Sequence, residues 1–452
     1  MPTANTAYGA NALASDTTGD NNSAFGASAL DSNTTGENNT AVGTNALNSN
    51  IAGSRNSAVG MKALADNTGD DNCAVGFWAL YSNTGTYNSA VGNYALCNNT
   101  SGFYNTAVGS SSLNSNTTGG YNSAGGVSAL FSNTTGIRNC AFGFNALVSN
   151  TTAGSNNAFG ADCLNNNTTG DHNNAFGDEC MRVNQSGSWN SAFGAYALEY
   201  SIGSYNAAFG ASALGTVSAG DDNTAFGFGA LNALGWVGAT SGGNRNVAMG
   251  SRCLAYVAAG NCNSGLGSFA LYDLGAPQTA GSFNAGTSYT IATIGTTDFT
   301  LIGASSNTIG VVFTATGSGA GTGTATPANT DYNTVVGYNT GRGILYGASN
   351  TIVGANVTGL AAGLTGAIIL ANGTGEILYD YGNSTPNVHT FAGGPVTLPS
   401  YTVGALPAAV GAGACAYVTD LSGSSYVYGA PAAGGGSRGG KVFFTGSVWL
   451  EG

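Results

Sequence analysis

Charge is the scarcest commodity in this chain. Of 452 residues only 9 are Lys or Arg and 21 are Asp or Glu, so 7% carry charge, against about 25% in an average soluble protein. A chain of this length ordinarily makes two or three compact domains, and so little charge argues against that organisation. The few basic residues do not cluster, which excludes a phosphate-binding groove for nucleic acid. Proline numbers 8 and no Gly-x-y period is present, which excludes collagen. No apolar run approaches the roughly 18 residues of a membrane span, so membrane insertion is not expected. The segment Met1 to Gly9 has neither the basic start nor the apolar core of a secretory signal, and synthesis and folding in a cytoplasm are expected. The 8 cysteines lack the paired C-x-x-C spacing of a zinc site, and no metal or other cofactor is expected.

What is abundant is glycine, at 74 positions, about twice the usual share of roughly 7%. With 42% hydrophobic and 10% aromatic residues, the chain is too apolar for simple disorder. Self-comparison finds a period of 17: an N-[ST]-A-[VF]-G core recurs sixteen times, with its Gly at positions from Gly9 to Gly267. Asn stands four residues before every such Gly, Ala two before it except at Gly265, and Leu four after it except at Met181. A fixed short period of this kind signals a solenoid.

Stacking the repeats about 4.8 Å apart turns each position into a column. Asn22, Asn39 and Asn56 then begin an amide ladder, and Leu30, Leu47 and Leu64 an apolar spine. The residue before the Gly, which is large in most copies, belongs beside that spine, with Phe rings stacking in coils nine to fourteen. Ala and Gly form a smooth face on the other side of the strand, because side chains alternate. Length changes all fall in the S-N-T-T-G segment, which reads as a surface loop. Its adjacent threonines, such as Thr34 and Thr35, do not make the flat, regularly spaced Thr face that ice binding needs. Cys73, Cys140, Cys163, Cys180 and Cys253 replace small residues of the repeat and are expected to be buried; Cys163 and Cys180 share a column, where a redox bridge is conceivable. At about 3.3 Å per residue a coil measures ~56 Å around, enough for two short strands and two turns, and sixteen coils rise ~77 Å. So thin a coil has no room for Met61, Phe77, Val127, Phe144 and Phe228, just after the Gly, and burial against other copies in a homotrimer is the expected outlet.

The units N-T-A-V-G-T-N-A-L-N-S-N at 39–50 and N-S-A-F-G-A-S-A-L-D-S-N-T-T-G at 22–36 resemble the repeats of tail-fibre proteins of marine and cyanobacterial phages. More distantly they resemble the head repeats of trimeric autotransporter adhesins, which fold as parallel β-rolls. The expectation is an all-β parallel β-solenoid, or β-roll, with one 17-residue repeat per coil, assembled as an elongated homotrimeric fibre with a small C-terminal β tip domain. Residues 1–276 form a sixteen-coil shaft, 277–331 an inserted Gly- and Thr-rich β module, 332–375 resumed coils, 376–396 a β connector, and 397–452 the tip, which caps an otherwise open sheet edge. At the N-terminal end the first coil is expected to stack on another fibre segment or another copy.

An enzyme needs convergent ionisable groups, and few are available. His172 and His389 are the only histidines. The acidic pairs Asp70-Asp71, Asp178-Glu179 and Asp221-Asp222 leave a two-carboxylate glycosidase open, yet they read as solvated turn residues, and no catalytic residue is assigned. Two places suggest ligand binding. The column before the Asn carries Tyr87, Tyr104, Tyr121, Arg138, His172, Trp189 and Tyr205, either a stripe for stacking sugar rings or filler between neighbouring chains. The tip holds Tyr426, Tyr428, Arg438 and Trp449 near glycine-rich loops. A virion fibre that attaches to a host-surface glycan or protein follows from this reading, with a cellular adhesin or self-assembling extracellular filament as the alternative and a glycan depolymerase as a third.

Overall fold

The three residues before each repeat glycine form a strand, and each strand lies in parallel register on the same residues of the next repeat, as Ser23 on Thr40, Ala24 on Ala41 and Phe25 on Val42. The computed structural model describes residues 4–216, 220–232, 243–257, 260–327, 330–372 and 374, and beyond these the backbone of Ile377–Tyr381, Ser400–Tyr401, Cys415–Leu421, Arg438–Phe444 and Trp449–Glu451. The fold is an all-β parallel β-solenoid of about 20 turns with about 17 residues per turn. Its sheet has 20 strands, and the last, Ile377–Tyr381, runs antiparallel to Ile368–Ala371.

Among the described residues each coil contains one strand, of three residues except at Ile368–Ala371, where the circumference suggests two; the remaining described residues are turns and bends. The physical reason is a set of left-handed residues. In the coil around Gly143, Arg138, Asn145 and Leu147 have φ of 57°, 53° and 52°, and Gly143 itself 142°. The same positions repeat this conformation coil after coil. A left-handed residue within a turn changes the direction in which the following peptide group points. Thus Arg138 and Asn145 donate their N–H groups to Gly120 and Val127 in the preceding coil, while Leu147 and Ser149 donate to Cys163 and Asn165 in the following one. The turns are therefore also hydrogen-bonded between coils, interleaved with bonds inside the coil such as Ala146 N–H to Gly143 O and Asn150 N–H to Leu147 O. Among the described residues none of the non-glycine positions with positive φ is Val, Ile or Thr, because a branched Cβ fits that conformation worst.

Alternation along the strand decides what is inside. The Ala of the strand, the Ala three after the Gly and the Leu four after it are fully buried, as at Ala24, Ala29 and Leu30. The large residue before the Gly points outward, which reverses the expected placement: Phe25, Val42 and Phe142 are 43%, 38% and 44% exposed. In the sixteen repeats a small side chain at the inner strand position leaves room for the Leu in a narrow core, whereas in the resumed coils Val335, Ile352 and Ile369 are buried at that position. The Phe column does stack, but on the outer surface, with centroids of Phe142, Phe159, Phe176 and Phe193 5.4, 4.8 and 4.7 Å apart in succession. Gly125 stands at the start of that stack, where an added Cβ would come within 2.5 Å of the Phe142 ring.

Two asparagine columns line the polar side of the core. In the first, Asn39 Nδ2 donates to Gly53 O at 2.8 Å and its Oδ1 accepts the Asn56 N–H at 3.0 Å, so that the ladder runs largely through backbone partners. The second lies in the S-N-T-T-G segment. Asn116, Asn133 and Asn150 are fully buried there, and each Nδ2 reaches the preceding Oδ1, at 2.8 Å for both Asn133 to Asn116 and Asn150 to Asn133. That segment is thus only partly a surface loop: its Thr hydroxyls and turn are outside, and its Asn is core. From the coil of Gly250 the same interior position becomes Val257, Leu274 and Ile344, all buried.

The insertion does not interrupt the stack. Ser264–Leu266 pairs in register with Thr334–Val336, 70 residues later. Between them Gln278–Thr279, Ser288–Thr293, Val312–Thr314 and Thr324–Pro327 form a separate four-stranded antiparallel sheet over its own core of Tyr289, Phe299 and Phe313. The chain divides into two units, residues 1–390 and 391–452. In the second, Cys415–Leu421 pairs parallel with Ser400–Tyr401 and antiparallel with Arg438–Phe444, which in turn pairs with Trp449–Glu451.

Candidate binding surfaces

The aromatic column is held by the left-handed residue before each Asn, which projects its side chain outward. Tyr87, Tyr104 and Tyr121 are each about half exposed. Their rings lie face to face, Tyr87 on Tyr104 at 4.8 Å and 5°, and Tyr104 on Tyr121 at 5.4 Å and 15°. The Arg138 guanidinium lies 6.0 Å from the Tyr121 centroid. A second stack, His172 on Trp189 at 4.0 Å, follows after Ser155, and Tyr205 stands 59% exposed beyond it. The column is therefore two short stacks. Because the rings cover one another, a pyranose approaching from solvent meets ring edges and hydroxyls rather than open faces, and stacking on sugars needs open faces.

A second aromatic patch escaped the sequence reading. Lys62, Trp78 and Tyr94 occupy the position two after the Gly in successive coils, with Phe77 and Tyr81 beside them. Trp78 stacks on Tyr81 at 4.4 Å and 15°, the Lys62 ammonium sits 4.8 Å from the Trp78 ring, and Tyr94 meets Phe77 edge-on at 5.3 Å. The signal available in the sequence was that this position varies freely among polar, charged and aromatic residues, as does the column before the Asn.

Most carboxylates of the acidic pairs bond within or between coils. Asp70 accepts the Ser54 N–H at 2.8 Å, and Asp71 takes both Nε and Nη2 of Arg55 at 2.6 and 2.8 Å. The Arg55 guanidinium, by hydrogen bond and charge, holds the Asp71 carboxyl below the usual carboxylate range. Glu179 pairs with Arg182 at 2.8 Å, and Arg182 with Glu199 at 2.6 Å. Asp221 accepts the Ser204 N–H at 2.7 Å, and Asp222 lies 3.9 Å from Arg245. A longer rule emerges: Asp171, Ser188, Ser204, Asp221, Asn244, Asn261 and Asp331 share one column, and each side chain accepts the N–H of the same position one coil earlier. Asp221, Asp222, Arg245 and Asp331 line a groove of about 330 Å³, but two of its three carboxylates serve this third ladder. Among the described residues no group of three His, Cys, Asp or Glu side chains could hold a metal ion.

Cys163, Cys180 and Cys253 are fully buried, whereas Cys73 and Cys140 are half-buried on the outer strand face, contrary to expectation. A hydrogen bond with Cys180, together with burial, raises the Cys163 thiol far above the ordinary cysteine range, so the shared column favours thiols over the reactive thiolate a bridge needs. Burial pushes the Cys253 thiol up to about 12. At the one break in the Ala column of the sixteen repeats, a Cβ on Gly265 would fall on the Cys253 Sγ, whereas Cys163 and Cys180 lie beside Ala175 and Ala192. Of the tip residues, Tyr426 and Tyr428 lie outside the described residues, as does His389, and for Arg438 and Trp449 only the strand backbone is described. No protein family, curated protein or solved structure matches this chain.

Proposed function

We propose that the chain is a non-enzymatic attachment fibre of the phage tail-fibre kind, in which several copies, most simply three, lie side by side and residues 397–452 carry the contact with a host-surface glycan or protein. One observation supports this reading above the others: the strands keep residue register across links of 16, 17, 23 and 70 residues. Every insertion is thus confined to turns and the ladders are left continuous. A device that must transmit position along its axis needs that continuity, and a catalyst does not. Engagement of Asp70, Asp71, Glu179 and Asp221 within and between coils further supports a structural over a hydrolytic role.

Negative-stain imaging of the purified protein tests the reading, together with pull-down by host envelope fractions. Straight rods of uniform length that bind envelope through residues 397–452 support it. Continuous head-to-tail filaments favour the extracellular filament instead. Release of reducing ends from capsule or lipopolysaccharide would overturn it.

A further inference from the structure

The sheet face of the solenoid is defined by three outward positions: the strand's first and third residues and the residue just after the Gly. Its third-residue column is apolar along its length, with Phe25, Val59, Val91, Val108, Phe226 and Leu266 41% to 57% exposed, while the first-residue column is mostly Ser, Thr and Asn and the column after the Gly is mixed. The face is also almost free of charge. Of all charged residues in the coils only Asp178 falls in these three columns. Repulsion between stacked like charges does not account for this. Other columns stack at the same spacing and carry charge, as Arg55 above Asp71 and Asp222 near Arg245 in one column, and Lys62, Glu179 and Arg252 in another. Charge is excluded from the sheet face specifically, which is the composition of a surface that leaves water.

From this face we infer the joint of the assembly: copies of this chain pack sheet face to sheet face, parallel and in register, an inference that rests on the fibre reading above. Two arguments select a second copy as the occupant. A partner that covers the whole face must match its inter-strand repeat along the whole stack, and another copy does so by construction. The area is also sufficient. The parallel strands of the 20-stranded sheet, spaced about 4.8 Å with three residues of about 3.3 Å each, present about 900 Å², against about 800 Å² per partner in a stable interface. Parallel packing sets the Phe142 to Phe226 stack against its own copy and the Val42 to Val108 stretch against its own.

The test is the mass of the full chain in solution. Wild type is expected at a multiple of 44.4 kDa, the V91K/V108K double variant at the single-chain mass, and N98K, a substitution on the turn face of the same coil, unchanged from wild type. Circular dichroism checks that the double variant keeps its fold. If it does not, a short bismaleimide supplies a readout on the unaltered face, where Cys73 and Cys140 are accessible: it should link copies in wild type, and the C73S/C140S variant should lose that link. A wild type at single-chain mass overturns both this inference and the side-by-side fibre. A multimeric wild type whose V91K/V108K variant stays multimeric, or whose C73S/C140S variant still cross-links as well, overturns the joint alone.

Discussion

Replacing Asn133 by Val probes the inner ladder at a single rung. The side chain is fully buried; its Nδ2 donates to Asn116 Oδ1 at 2.8 Å and Gly136 O at 3.1 Å, and its Oδ1 accepts from Asn150 Nδ2 at 2.8 Å. Gly136 O keeps the Asn122 amide at 2.9 Å, and Asn150 Nδ2 keeps Ala153 O at 3.0 Å. The substitution therefore strands one acceptor, on Asn116, and one donor hydrogen, on Asn150. Each buried unsatisfied group costs about 1–3 kcal/mol, so N133V should destabilise by about 2–6 kcal/mol. The N116V/N133V double variant still strands one acceptor, now on Asn99, and the same donor hydrogen. It should cost only about 1 kcal/mol more than the single change, a strong departure from additivity. The natural end of this ladder shows how a rung is closed: Asn184 Oδ1 accepts the Gly187 N–H at 3.0 Å. Amide hydrogen exchange in the coils of residues 105–155, with thermal melting, reads both values. A single-variant cost below about 1 kcal/mol, or a double-variant cost equal to the sum of the two single ones, would refute the reasoning.

Three other changes test the remaining supports. Gly177 has φ of 143°, and a Cβ there would lie 2.5 Å from Gly194 O; G177A should cost about 3–5 kcal/mol by backbone strain and clash, seen as a lowered melting temperature, and a near-neutral result would show that the coils can spread. Leu147 sits at φ 52°, so L147I, which keeps the volume but branches at Cβ, should cost about 1–2 kcal/mol more than L147M; equal melting curves would contradict this. The folded-state value of about 12 for Cys253 exceeds the unfolded value of about 8.5. Between those pH values the unfolded chain binds fewer protons at this site, so stability falls as pH rises, by up to roughly 1.4 kcal/mol per unit. Denaturant titrations at pH 8 and pH 10.5 should show a shallower loss for C253A than for wild type, and identical losses would refute the assignment.

Much of the architecture was legible because a solenoid writes its contacts as a period. The invariant Asn, Ala, Gly and Leu positions located the coil, its register and its tolerance of insertion in the S-N-T-T-G segment. The left-handed backbone of residues such as Leu147 and Arg138 was not read from the sequence; the structure supplied it. The aromatic column at Tyr87 to Tyr205 was legible as a column but not as a chemistry, since whether rings stack on each other or stand apart depends on side-chain angles that no period encodes.

The sequence by itself determined the stacking, because each residue's chief neighbours are its own counterparts 17 positions away and identical neighbours can be read without a structure. Only the tertiary structure decided which side of each coil is inside. Alternation says that Ala24 and Phe25 face opposite ways, but a core narrow enough for one strand admits the Ala and excludes the Phe. That single choice puts the Phe and Val columns on an outward-facing surface almost free of charge and buries the Asn of the turn. Hydrophobicity alone would have made the opposite assignment.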